Sequence, residues 1–123
     1  SINMIKDKIK DEEFKNTVEN IYKKYEEISR KITKLYYKYD KVDDPKTTNP
    51  ISKAMLWSGI EMNTLADTSD SKLAELLLNG TNMGIIEGRK IFNNKCSDVE
   101  VEDLTKEFIR MQEGSVEELK KYL

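Results

Sequence analysis

Glu61, Glu87 and Glu113 are the carboxylates that separate helices could bring together, and the chemistry they would support is an all-carboxylate metal site. The chain has no histidine. That removes the usual acid–base group at neutral pH and the Glu-x-x-His pairs that a di-iron or di-manganese bundle requires. The three glutamates are therefore read as rim or solvated acids, and neither a metal nor another cofactor is expected. Cys96, the single cysteine, lies beside Lys95 in the polar run Asn-Asn-Lys-Cys-Ser-Asp. Without a histidine to activate it, it reads as an ordinary exposed thiol, and no catalytic residue is expected. A lone cysteine cannot form an intrachain disulfide, which suits a reducing compartment, so a cytoplasmic location is expected.

Gly80, Gly84 and Gly88 recur at four-residue spacing but fit neither GxGxxG nor the Walker pattern. Each costs a helix roughly 0.5–1 kcal/mol relative to alanine. The expected offset is helix packing: a flat groove into which a neighbouring helix backbone presses. Asn79 and Asn82, which flank Gly80, are expected to be satisfied amides at that contact or to line a small polar pocket. Tyr22, Tyr25, Tyr36, Tyr37 and Tyr39 interleave with Lys23, Lys24, Lys34, Lys38 and Lys41. With 21 basic against 23 acidic residues overall, however, no net basic groove is expected to track a nucleic-acid backbone.

The elements that must position these residues are helices. Phe14, Val18, Ile21, Tyr25, Ile28, Ile32, Leu35 and Tyr39 alternate steps of four and three, which predicts one helix over about 11–40 with a single apolar stripe. Glu19–Lys23, Glu26–Arg30 and Glu27–Lys31 are spaced to pair on its solvated side. Ile2, Ile5 and Ile9 share a face and predict a short helical piece over about 2–9, the end of a longer first helix. Residues 41–48 read as a loop. Asn49–Pro50 is a helix start, and Ile51, Met55, Ser58, Met62 and Leu65 predict a helix over about 50–66.

A short turn at 67–70, with Ser69 or Asp70 as cap, leads to a glycine-striped helix over about 70–94. This helix is apolar nearly all round. Glu75, Glu87, Arg89 and Lys90 interrupt it too often for a membrane span. Ser97 with Glu100 forms a capping box for a last helix over about 98–122. Its expected buried face is Val101, Leu104, Phe108 and Met111, then Val116, Leu119 and Leu123, with a bend allowed at Gly114. No strand-like alternation occurs, so the expected fold is all-α and a single domain over 1–123.

The stretch 49–88, NPISKAMLWSGIEMNTLADTSDSKLAELLLNGTNMGIIEG, with the terminal VEELKKYL, resembles a group of clostridial and bacillus-type helical proteins associated with the ferritin-like superfamily. The resemblance implies an antiparallel four-helix bundle whose first helix precedes Asp11 and is represented by a short or truncated piece at 2–9. The oxidase and iron-storage activities of ferritins are not implied, because their Glu-x-x-His positions have no counterpart here.

The expected function is that of a non-catalytic helical bundle with a structural or protein-interaction role. The alternative is a degenerate ferritin-like metal or small-ligand carrier using Glu61, Glu87 and Asn79 or Asn82. A shortened first helix leaves apolar surface to cover, so a homo-oligomer or a protein partner is expected, with neither a membrane nor nucleic acid.

Overall fold

The computed structural model describes residues 2–38, 65–94 and 99–123. The described residues form four helices: α1 (Ile2–Lys8), α2 (Glu12–Lys38), α3 (Asp70–Asn94) and α4 (Val99–Lys120). Among them there is no strand, and the fold is all-α. No helix among the described residues is long and apolar enough to cross a membrane. The expected helix at about 50–66 with its Asn49–Pro50 start, Glu61, and Ser97 of the capping box all lie outside the described residues, as do Lys95 and Cys96.

The stripe on α2 organises the core. Phe14, Val18, Ile21 and Ile28 are buried, while Tyr25, Ile32 and Leu35 are half-buried in the same line. Ile5 and Ile9, from α1 and its C-terminal turn, join Phe14, Val18 and Ile21. They pack with Leu73, Ala74 and Leu76 of α3 and Leu119 of α4 in a first apolar cluster. Ile28, Phe108 and Ile109 form a second cluster, flanked by Ile32, Phe92, Leu104 and Met111. Tyr25 touches both clusters. Two turns of helix are not stable alone. α1 is held by its buried isoleucines and by Lys6, whose ammonium lies 2.8 Å from Glu19.

The helix starts are closed by side-chain oxygens. Asp11 accepts the Phe14 N–H at 2.8 Å and caps α2. Ser69 accepts the Lys72 N–H at 3.4 Å at the start of α3, and Asp67 in turn accepts the Ser69 N–H at 2.9 Å. That contact holds the Asp67 carboxyl below its ordinary value. Of the two caps expected for α3, Asp70 turns out to serve another helix. Its two carboxylate oxygens accept the Lys10 and Asp11 N–H groups at 2.9 Å each, bracketing the α1–α2 junction.

α4 departs from expectation in its rotation. Its buried residues are Thr105, Phe108, Ile109, Gln112, Ser115 and Leu119, whereas Val101, Leu104, Met111 and Val116 are only half-buried. The stripe 105–108–112–115–119 keeps steps of three and four but carries three polar residues, so a purely apolar pattern passes over it. α4 continues through Gly114 without interruption. Leu123 is 58% exposed, and the neighbouring Tyr122 takes its expected place. The Tyr122 ring stacks on Phe14 with centroids 4.6 Å apart, and its hydroxyl lies 3.0 Å from Thr17 Oγ1.

The pairs expected along α2 are partly replaced by contacts between helices. Glu19 turns to Lys6, and Lys31, 3.9 Å from Glu27, reaches Glu107 of α4 at 2.9 Å. Such exposed pairs contribute little each, so the apolar clusters and the junction set the arrangement. Asp70→Ala removes the carboxylate acceptors of two backbone N–H groups and is expected to lower the unfolding free energy by about 1–2 kcal/mol in urea melts. An unchanged midpoint would assign the hold on the junction to apolar packing alone.

Candidate functional site

Between the two apolar clusters lies a polar layer built from three helices. Thr81, on α3, is buried, and its hydroxyl donates to the Leu77 carbonyl one turn back at 2.8 Å. Its Oγ1 lies 3.2 Å from the Tyr25 hydroxyl of α2. With the Thr81 hydrogen given to Leu77, the phenol is the donor in that contact. From α4, Gln112 donates through Nε2 to the Thr81 carbonyl at 3.2 Å. Gln112 is fully buried, and its Oε1 has no hydrogen-bond partner. An orphaned buried acceptor costs roughly 1–3 kcal/mol.

Gly84 of α3 makes the room for the Gln112 amide of this layer. Gly80, Gly84 and Gly88 are all buried. A Cβ on Gly84 would overlap Gln112 Nε2 and lie 3.4 Å from Phe108 Cζ. On Gly88 it would lie 3.1 Å from Phe108 Cδ2 and 3.2 Å from Ile109 Cγ1. The atoms nearest these two glycines thus belong to the side chains of Phe108, Ile109 and Gln112, where the spacing alone predicts a pressing backbone. Gly84 is a slot for an amide and Gly88 a slot for a ring and a branched chain. Sliding α4 by one turn would carry Gln112 out of its slot and strand its amide in an apolar cluster, so the layer favours one axial register.

The other candidate residues do not converge on this layer. Asn79 and Asn82 are exposed rather than packing amides, and of the two Asn82 lines an open groove beside α4. The buried line of α3 runs through Gly80, Thr81 and Gly84, and the two asparagines fall on either side of it. Glu87 is half-buried with Lys90 at 3.7 Å, and Glu113 is exposed with Arg89 at 3.6 Å. Among the described residues, no three histidine, cysteine, aspartate or glutamate side chains are grouped to hold a metal ion. From the lysine–tyrosine stretch, Lys34 is exposed and Tyr25 belongs to the layer; the side chains of Tyr36, Tyr37 and Lys38, together with Tyr39 and Lys41, lie outside the description.

The chemistry open to the layer is narrow. Burial pushes the Tyr25 phenol up to about 12, against the opposing pull of the Thr81 hydroxyl and the Gln112 amide. The threonine hydroxyl and the glutamine amide do not titrate, so no group in the layer changes protonation near neutrality. Thr81 and Gln112 were the residues that apolar periodicity missed. The available signal was that Gln112 keeps step with Phe108 and Leu119 on one stripe. Comparison of the chain with protein-family models, with curated proteins and with solved structures returns no match.

Replacing Gly84 with leucine must displace both Gln112 and Phe108 and is expected to destabilise the protein by about 1–3 kcal/mol in thermal or urea melts. An unchanged melt would mean that the Gln112 side chain leaves its slot without loss. Tyr25 has a second measurable consequence. Because its folded pKa lies above the unfolded value, the stability linked to it is complete below pH 10 and is lost as pH rises toward about 12. Tyr25→Phe is expected to flatten that alkaline decline, and an identical decline in the variant would assign it to the other tyrosines.

Proposed function

We propose that the chain is a non-catalytic helical bundle with a structural or protein-interaction role. The observation that carries this reading is the use made of the buried polar groups. Tyr25, Thr81 and Gln112 are bonded to one another or to backbone carbonyls of α3 within the core, and Gln112 fills the space that Gly84 leaves. Glu87 and Glu113, the acids with metal-ligand chemistry, are instead engaged by Lys90 and Arg89 toward the surface. Groups held in these ways serve packing and solvation.

The architecture we propose is the antiparallel four-helix, ferritin-like arrangement formed by α2, the expected helix at about 50–66, α3 and α4, with α1 as the short piece that leads into it. Support comes from the order of contacts. From Asp11–Asp70 to Tyr25–Thr81, residue numbers climb together along α2 and α3. Against α4 they run in opposition, from Thr17–Tyr122 to Lys31–Glu107 and from Thr81–Gln112 to Gly88–Phe108. The expected helix at about 50–66 would be the remaining member. A cytoplasmic location and a protein partner or second copy belong to the same proposal.

Elemental analysis of the purified protein tests the functional reading. Iron, manganese and zinc are each expected well below one equivalent per chain, with no thermal shift on adding them. A stoichiometric metal would overturn the proposal in favour of a carrier using Glu61 or Glu87.

A further inference from the structure

On the outer side of the α3–α4 pair, away from the buried layer, lies an open groove of about 590 Å³. Ile85 and Val116, both half-buried, supply its apolar part, and Arg110, Glu113, Gly114 and Glu117 surround them. Ile86, on the next position of α3, is 55% exposed. Gly114 has no atom of the described residues within 4 Å of where its Cβ would be. This distinguishes it from Gly84 and Gly88, which are crowded by α4. A glycine inside a helix is unfavourable relative to alanine, and nothing packed within the described chain requires one at 114.

The charges around the groove are self-complementary. Arg110 and Glu117 are seven residues apart, which places them on one face of α4 about two turns from each other. Gly114 lies close to their midpoint. If a second α4 crosses in the opposite direction over Gly114, each Arg110 faces the other copy's Glu117, and the open glycine lets the helices approach. Arg110 makes no ion pair among the described residues. The contact of Glu117 with Lys120, at 3.0 Å, is an exposed pair of the exchangeable kind. Glu113, the like charge nearest the crossing point, is already faced by Arg89.

We propose that this groove is the contact surface for a second copy of the chain, in an isologous dimer centred on Gly114 with reciprocal Arg110–Glu117 pairs. The proposal rests on the interaction role given above and names its partner. Analytical ultracentrifugation of the full chain over a concentration series provides the test. The wild type is expected to dimerise reversibly and to weaken as salt is raised. Arg110→Glu and Glu117→Arg each set like charges against one another twice over, and each is expected to weaken dimerisation at least about tenfold. Both residues are exposed, and unchanged helical circular dichroism verifies the fold of the variants.

An equimolar mixture of the two variants restores opposite charges at both contacts and is expected to recover association. A wild type that stays monomeric at the highest concentration, variants that dimerise as the wild type does, or a mixture that fails to associate would each overturn the dimer. The two proposals fail separately. A monomeric protein without metal leaves the interaction role in need of another partner, whereas a stoichiometric metal removes that role whatever the association state.

Discussion

The absence of a side chain at Gly84 is the constraint on which the described core depends, because it is what allows Gln112 to lie between α3 and α4. Once that amide is seated, its Nε2 reaches the Thr81 carbonyl and the Tyr25 phenol closes the layer from α2. Three helices are thus tied at one level by directional bonds, while the apolar clusters on either side are indifferent to small slides. The arrangement gives up stability at the unpartnered Gln112 Oε1 in return for a defined register. A leucine at 112 would remove the orphaned acceptor and the register bond together.

The opposite end of the first cluster is closed by different means. Asp70 reaches back to the α1–α2 junction, and Tyr122 folds its ring over Phe14. The start of α2, the start of α3 and the end of α4 therefore meet around Phe14, which is completely buried. These contacts join residues about 60 and more than 100 positions apart in sequence. They give the short α1 an apolar floor, on which Ile5 and Ile9 are almost fully covered.

Chemistry and packing are separated in space. Among the described residues the ion pairs lie on the outer faces and are solvated, and the interior polar side chains are neutral and hydrogen-bonded, Gln112 through its Nε2 alone. Gly84 and Gly88 therefore bear on packing, whereas Gly114 lies on an outer face, with no atom of the described residues within 4 Å of its Cβ position.

Helix type and extent were legible from periodicity. Heptad-like spacing on α2 and the glycine-striped segment of α3 placed both helices, since local propensity and pattern act within a few turns. The presence of Gly84 and Gly88 in a contact was legible too, because three glycines in register imply a close neighbour. What they contact was not. Choosing between 101–104–108–111 and 105–108–112–115 as the inner face of α4 needed the positions of Tyr25 and Thr81, residues far away in the chain. The exposure of Asn79 and Asn82, and the turning of Asp70 to α2 rather than to its own helix, followed from the same cause. A sequence by itself determines where helices form and which residues prefer burial. Only tertiary structure decides which polar side chain fills which slot, because that depends on hydrogen-bond geometry between segments that sequence spacing does not relate.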